Sequence, residues 1–278
     1  MKTSHYKDAD MTHPLATLVD LLGLETLEEN LFRGRSQDLG LPQLFGGQVL
    51  GQALSAATRT VDATRRAHSL HGYFLRPGDA KRPVVYQVDR VRDGGSFTTR
   101  RVSAIQNGKT IFFCSASFQG QEPGFSHQRE MPDIASPQAL IEDGAEVQRF
   151  DGHPIEFLHL PDTITDMPRK QLWFRLAGEL PEDGSLHRYL LAYSSDFNLL
   201  TTSLVSHDTF FGDPRLQIAS LDHALWFHDD VTINDWLLYD MESPWAGGAR
   251  GFARGSVYDR TGRLVASVAQ EGLTRLRD

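Results

Sequence analysis

The chain has 278 residues, of which 40% are hydrophobic and 23% are charged, and its formal net charge at pH 7 is −8. This composition is typical of a folded globular protein, and it excludes wholesale disorder and collagen-like sequence. The acidic balance argues against a nucleic-acid partner, because nucleic-acid-binding proteins normally carry a basic surface. The length suits one large domain or two domains of about 150 residues each.

The chain carries a single cysteine, Cys114, so an internal disulfide is excluded and a reducing compartment is indicated. Residues 1–14 are polar and charged and lack the apolar core of a signal peptide. The sequence contains no uninterrupted run of about 18 apolar residues, so we predict no membrane-spanning helix and no stable membrane insertion. We therefore expect a cytoplasmic protein.

The first half of the chain predicts two helices and a set of antiparallel strands. Residues 1–11 are expected to be a tail, and Thr12 is the expected N-cap of the first helix. After a short strand at 31–36, a second helix opens at Gly46 and Gly47 with a small-residue face that allows close packing. Further strands are predicted at 69–76, 84–92, 96–106 and 110–119. Turn sequences of Asp, Asn and Gly separate these strands as hairpins, which indicates an α+β fold.

The second half repeats this order after a segment of different composition. Residues 121–167 are rich in Pro, Gln, Glu and Asp and are predicted to be a linker, within which only 154–160 has an ordered pattern. A strand at 170–177 and a helix at 186–201 come next. The remaining strands are predicted at 216–227, 235–243, 249–258 and 263–271. We interpret this order as an internal duplication, with two unrelated α+β domains as the alternative.

The predicted domain organisation follows from the duplication. The amino-terminal repeat covers 1–120, and the helix at 12–24 leads into it. The carboxy-terminal repeat covers 168–278, and the linker at 121–167 joins the two.

Seven longer motifs stand in order along the chain. They are LFRGRSQDLGLPQLFGGQVLGQAL, YFLRPGD, VRDGGSFTTRRVSAIQNGK, SSDFN, LDHALWFH, ARGFARG and LVASVAQEG. Together they resemble the bacterial acyl-CoA thioesterase II family. The resemblance implies a double hotdog fold, in which each repeat wraps a long helix in an antiparallel sheet. It also implies hydrolysis of fatty acyl-CoA to fatty acid and coenzyme A without a metal or cofactor, by a homodimer or homotetramer of the double unit.

Asp196 is the first candidate catalytic residue. It lies in YLLAYSSDFNLL, within the predicted helix, where aspartate is unfavourable by propensity. The flanking apolar residues predict partial burial, which is costly for a carboxylate without partners. From the residues alone, the alternative is a structural aspartate bonded to a backbone donor or to Asn198. The resemblance places the catalytic aspartate of the family at Asp196.

The resemblance adds two further candidates, Ser220 in IASLDH and Gln270 in VAQEG. The family more usually has threonine at the first position, and Ser220 keeps the hydroxyl without the methyl group that restricts its rotamer. Taken alone, they read as an ordinary strand residue and a surface residue. A thioester carbonyl accepts direct attack by water, so we expect Asp196 to activate the water and the other two to orient it. Partial burial would raise the pKa of Asp196.

Gly46 and Gly47 are candidates for the oxyanion site, because backbone N–H groups at a helix start can stabilise negative charge on a carbonyl oxygen. The alternative role of these glycines is close helix packing. When the long helices of the two repeats are aligned, Gly46 stands opposite Arg188, and Asp196 stands opposite Leu54. The amino-terminal repeat then lacks the aspartate, and the carboxy-terminal repeat lacks the glycine. This predicts a single site built from both repeats.

Other chemistries have weaker support. The absence of Gly-x-Ser-x-Gly disfavours an α/β-type serine hydrolase. Asp222, His223 and His228 suggest a metal, but the two histidines would face opposite sides of a strand, which favours packed histidines. Arginines that could contact coenzyme A phosphates are Arg65, Arg66, Arg100, Arg101, Arg250 and Arg254. Two alternative functions remain, a non-catalytic acyl-CoA-binding hotdog protein and a hotdog enoyl-CoA hydratase, whose motif the sequence at 211–215 matches poorly.

Overall fold

The computed structural model describes residues 12–277, with backbone alone at the first two of them. The tail predicted at 1–11 lies outside the described residues. The α-helices are α1 Thr12–Leu22, α2 Gly46–Thr58, α3 Pro137–Glu142 and α4 Gly184–Ser194, and a 3₁₀ helix spans Leu200–Leu204. None of the helices in this part of the chain has both the length and the apolar character needed to cross a bilayer.

The strands of the described chain form one antiparallel sheet. In chain order they are β1 Glu25–Glu28, β2 Leu31–Gly34, β3 Arg66–Phe74, β4 Val84–Asp93, β5 Phe97–Gln106, β6 Lys109–Gln119, β7 Gln148–Arg149, β8 Ile155–His159, β9 Thr163–Ile164, β10 Pro168–Leu176, β11 Leu216–Ser220, β12 Asp222–Phe227, β13 Leu237–Gly247, β14 Arg250–Asp259 and β15 Leu264–Leu276.

The sheet has the same strand order on both sides of its centre. From the outside inwards, the first half runs β2-β4-β5-β6-β3, and the second half runs β10-β13-β14-β15-β12. The two halves join where β3 pairs with β12, with Leu70 opposite Leu225. This mirrored order confirms the predicted α+β double hotdog arrangement.

The long helices α2 and α4 lie on the sheet and pack antiparallel against each other. A side chain at Gly47 would collide with the carbonyl oxygen of Tyr193, and a Cβ atom at Gly51 would lie 2.9 Å from the carbonyl oxygen of Tyr189. Glycine has no Cβ atom, so the helix backbones can approach this closely. The antiparallel direction brings the start of α2 beside the end of α4, which positions the site described below.

The segment predicted as a linker has more structure than its composition indicated. It contains α3, β7, β8 and β9, and β8 extends the sheet by pairing with β10. Met131, Ile134 and Leu140 pack against a second apolar cluster that includes Trp173 and Leu238. The segment therefore covers part of the second half of the sheet, while the domain boundaries drawn around it stay a prediction.

Two element boundaries differ from the prediction in ways that matter for function. The helix predicted at 186–201 ends at Ser194, because Ser195 caps it and the chain turns at Asn198, whose φ is 66°. The strand predicted at 216–227 is interrupted at Leu221, which separates β11 from β12. The Leu221 carbonyl accepts a hydrogen bond from the Phe74 N–H. The interruption places the end of β11 beside the end of α4.

Candidate active site

Asp196, Ser220 and Gln270 come together from three separate elements. Asp196 follows α4, Ser220 ends β11, and Gln270 lies within β15. The Gln270 side-chain nitrogen donates to Asp196 Oδ1 at 2.8 Å and to Ser220 Oγ at 2.9 Å. One amide group therefore joins the carboxylate and the hydroxyl into a single network.

Asp196 does not occupy the middle of a helix, as the sequence pattern predicted. It is the residue after the C-cap Ser195, so the argument from helix propensity does not apply to it. Its side chain is only 7% exposed. Burial raises the pKa of Asp196, and hydrogen bonds from Gln270 and the Gly47 backbone partly oppose that rise. The carboxylate is therefore a stronger base than an exposed aspartate.

Gln270 is only 1% exposed, so its reading as a surface residue is wrong. A carboxylate needs donors, so the nitrogen of the amide rather than its oxygen faces Asp196. The same nitrogen donates to Ser220 Oγ. The Ser220 hydroxyl acts as an acceptor there, which leaves its own proton free to point towards the adjoining cavity.

The two glycines contact Asp196 directly. The Gly47 backbone N–H is close enough to the Asp196 carboxylate to lower its pKa. A Cβ atom at Gly46 would lie 2.7 Å from Asp196 Oδ2. The structure thus shows close packing at both glycines, and their role at the oxyanion site stays a prediction.

A buried histidine that the sequence indicated only as a packed residue stands beside the carboxylate. His223 Nδ1 lies 3.8 Å from Asp196 Oδ1, and His223 Nε2 lies 3.0 Å from Ser195 Oγ. Burial lowers the pKa of His223 to about 3, so the imidazole is neutral at neutral pH and forms no ion pair. His228 instead lies beyond β12 and contacts Ser267 Oγ at 2.9 Å.

Two cavities adjoin this network and share the lining residues Gly46 and Ser220. The larger has a volume of about 740 Å³ and is also lined by Asp196 and Phe197. The smaller has a volume of about 210 Å³ and extends towards the turn after β3. A group bound at Gly46 and Ser220 would therefore border both cavities.

The segment predicted as a linker supplies one wall of the larger cavity, which sequence reasoning did not anticipate. The wall consists of residues 150–153. Phe150 stacks on Phe197 with ring centroids 6.0 Å apart, and His153 Nε2 lies 2.8 Å from the Tyr193 hydroxyl. The only sequence signal was the ordered pattern that begins at 154, immediately after this wall.

The six arginines suggested for coenzyme A contact lie outside both cavities. Their partners within the described residues are Gly94 for Arg65, Asp230 for Arg66, Asp93 for Arg100, the Phe113 ring for Arg101, Glu271 for Arg250 and Glu242 for Arg254. Arg76, which the sequence analysis did not single out, lines the smaller cavity.

In each repeat, the position aligned with a candidate site residue of the other repeat carries a different kind of side chain. Leu54, the residue aligned with Asp196, is fully buried and apolar. Arg188, aligned with Gly46, forms an ion pair of 2.9 Å with Asp230. One site per chain agrees with these contacts and stays a prediction.

Comparisons with known proteins identify the family. Residues 34–119 match the acyl-CoA thioesterase N-terminal domain, and residues 163–273 match the acyl-CoA thioesterase family. Acyl-CoA thioesterase 2 of Haemophilus influenzae is 39% identical over 286 residues, which cover 96% of this chain and 100% of the relative. The chain belongs to the acyl-CoA thioesterase II family. The predicted activity, hydrolysis of acyl-CoA, is confirmed, and the two alternative functions are set aside.

Solved structures support the same family and fold. The crystal structure of an acyl-CoA thioesterase II from Mycobacterium marinum has a TM-score of 0.83 and 44% identity, covering 94% of this chain and 99% of that one. A hot dog fold protein from Alicyclobacillus acidocaldarius has a TM-score of 0.78 at 18% identity, again over 94% and 99% of the chains. The second likeness concerns the fold alone.

Proposed function

We propose that this thioesterase cleaves fatty acyl-CoA by direct attack of a water molecule that Asp196 activates. The observation that carries the proposal is the Gln270 amide, which donates to both Asp196 and Ser220 at the edge of a large cavity. A buried base held by fixed donors suits proton abstraction from a bound water molecule.

Asp196 is the proposed general base. Its carboxylate takes a proton from the water, the water oxygen bonds to the thioester carbon, and the carbon–sulfur bond then breaks. The abstracted proton passes to the departing sulfur, so the products are the carboxylic acid and the thiol of coenzyme A. Burial of Asp196 raises its pKa, which supports this role by making the carboxylate more basic.

Ser220 and Gln270 are proposed to orient the reacting groups. Gln270 fixes Asp196 and Ser220 relative to each other, and the free proton of the Ser220 hydroxyl donates to the attacking water. The serine lacks the methyl group of the threonine usual at this family position, and its bond to Gln270 compensates by restraining the hydroxyl.

Gly46 and Gly47 are proposed to stabilise the charge on the carbonyl oxygen. The first N–H groups of a helix have no partner within the helix, and the Phe45 N-cap makes no side-chain bond to them. The Gly46 N–H is the proposed direct donor, since Gly46 lines both cavities. Gly47 places the positive end of the helix dipole behind this donor, and its N–H also favours the ionised form of Asp196.

A single-turnover reaction in water enriched in ¹⁸O tests direct attack. With enzyme in excess over decanoyl-CoA, direct attack places one ¹⁸O atom in the decanoic acid of the first turnover. Attack by the Asp196 carboxylate would expel the thiolate and form a mixed anhydride, and water that opens this anhydride at the aspartyl carbon would place ¹⁸O in the protein and leave the first product unlabelled. Mass spectrometry of acid and of peptide 189–199 distinguishes the two results.

We also propose a cytoplasmic homodimer or homotetramer. The buried free thiol of Cys114 supports a reducing compartment, and the oligomer is what the family resemblance implies. Light scattering coupled to size exclusion measures the number of chains, and fractionation of cells followed by immunoblotting measures the compartment.

A further inference from the structure

We propose that the acyl chain of the substrate occupies the larger cavity and that the coenzyme A arm leaves through the smaller one, past Arg76. This orientation rests on the proposed hydrolysis at Gly46 and Ser220. It assigns the smaller cavity to the pantetheine arm and Arg76 to the phosphates.

The position of the reacting bond gives it access to two cavities. A thioester carries two chemically different arms, one apolar and one polar with several phosphate charges. Both cavities include Gly46 and Ser220 in their walls, so a carbonyl held there borders both cavities. The charges that line the two cavities then decide which arm enters which.

The larger cavity suits an apolar chain. Its aromatic lining comes from Phe45, Phe150, Phe197, Phe210 and Phe211. The rings of Phe45 and Phe197 lie 4.5 Å apart, next to the catalytic carboxylate. A chain that starts at Ser220 would therefore meet packed aromatic surface from its first carbons, which favours burial of methylene groups.

The charges around the larger cavity oppose a polyphosphate. Three aspartates besides Asp196 line it, namely Asp38, Asp151 and Asp162. Among the described residues, the lysine in this lining is Lys170, which already lies 3.7 Å from the Asp162 carboxylate. The net charge of this wall is negative, so it repels phosphate groups.

The smaller cavity differs in the sign of its charge, while most of its other lining side chains are apolar. Among its described lining residues, Arg76 is the single charged side chain. Arg76 Nη1 donates to the Thr110 carbonyl oxygen at 2.6 Å, and no carboxylate in the described chain forms an ion pair with it. The remaining N–H groups of this exposed guanidinium are available for a phosphate, which arginine binds through several N–H groups at once.

The backbone holds Arg76 in a fixed position relative to the reacting site. The Leu75 and Arg76 N–H groups both donate to the Ile111 carbonyl oxygen, at 2.8 Å and 3.2 Å. The Leu44 N–H donates to the Gly78 carbonyl at 2.8 Å, which ties the Arg76 turn to the segment leading into Gly46. Arg76 is thus anchored to the same backbone that presents the proposed oxyanion donor.

The test compares two substrates in purified full-length enzyme, decanoyl-CoA and decanoyl-pantetheine, which lacks the nucleotide and its phosphates. We expect Arg76→Gln to raise KM for decanoyl-CoA about tenfold, the loss of one charge-assisted phosphate contact, with kcat changed less than about twofold. KM for decanoyl-pantetheine should stay unchanged. Arg76→Lys, which keeps the charge, should recover part of the loss.

Lys170→Gln is the matched control, since it removes a cation from the wall of the other cavity. We expect it to change KM for the two substrates by the same factor. The orientation is overturned if Lys170→Gln selectively weakens decanoyl-CoA, or if Arg76→Gln affects both substrates equally. Failure of the wild-type enzyme to cleave either thioester would instead refute the proposed function itself.

Discussion

Gly46 and Asp196 lie so close that a single added methyl group would reach the carboxylate. A Cβ atom at Gly46 would stand 2.7 Å from Asp196 Oδ2, well inside van der Waals contact. These residues are separated by about half of the chain, and they meet because α2 and α4 pack antiparallel with glycines between them. The catalytic proposal depends on this contact, because the glycine both admits the carboxylate and lines the cavities.

We therefore expect Gly46→Ala to lower kcat by roughly 100-fold, the scale observed when a reacting group is displaced by about 1 Å. The added methyl group must push the Asp196 carboxylate away from its present position. Gly95→Ala is the matched control, because a Cβ atom at Gly95 meets nothing within 4 Å. Steady-state kinetics with decanoyl-CoA measure both variants, and a fully active Gly46→Ala enzyme would contradict the placement.

Asp196→Asn should lower kcat by at least ~100-fold with little change in KM, since it removes the base and leaves the shape of the site intact. Gln217→Ala, on the same strand as Ser220 but bonded to Arg277, serves as a control for nonspecific effects. A thiol-release assay gives both constants. Turnover above half of the wild-type value would refute water activation by Asp196.

Ser220→Ala and Gln270→Ala should each lower kcat on the order of 10- to 100-fold, because each orients the reacting groups without taking the proton. Ser220→Thr should be nearly neutral or slightly activating, since it restores the usual family residue. The same assay measures all three variants. An inactive Ser220→Thr enzyme with an unchanged circular dichroism spectrum would show that the hydroxyl has another role.

The value of kcat/KM should fall on acidification, and the apparent pKa of this acidic limb should lie above that of an exposed aspartate. Activity requires the ionised carboxylate, and burial raises the pKa of Asp196, so activity is lost at a higher pH as the solution is acidified. His223 stays neutral in this range because its pKa is lowered to about 3. A rate profile from pH 3.5 to pH 9 measures the limb, and a limb at or below the ordinary aspartate value contradicts the prediction.

Because burial raises the pKa of Asp196, its ionised form should lower the free energy of unfolding at neutral pH. A group whose folded-state pKa exceeds its unfolded value stabilises the fold below the unfolded pKa, and this contribution is lost as the pH rises through the folded pKa. We therefore expect Asp196→Asn to have a higher Tm than wild type at pH 7. The difference should shrink as the pH falls below the ordinary range of aspartate. Calorimetry at a series of pH values checks both the sign and the trend, and a lower Tm at pH 7 would contradict it.

The sequence by itself determined those features that depend on neighbours along the chain. Turn residues such as Asn107 and Gly108, between runs of strand-forming residues, predicted the hairpins and the α+β class. The glycines at the start of α2 predicted a helix start with close packing. The resemblance of the motifs to the acyl-CoA thioesterase II family identified Asp196, Ser220 and Gln270 as candidates. From residue types alone, each also had an ordinary structural interpretation.

Only the tertiary structure decided which distant groups meet and which are buried. Gln270 bonds to Asp196 across 74 positions of sequence, and local periodicity carries no information about such a contact. The apolar pattern around Asp196 predicted a longer helix, but the cap at Ser195 and the turn at Asn198 end it early. The cavity wall at 150–153 and the position of Arg76 also escaped prediction. The physical reason is common to these cases: propensity acts between residues close in sequence, whereas burial and hydrogen-bond partners depend on how whole segments pack.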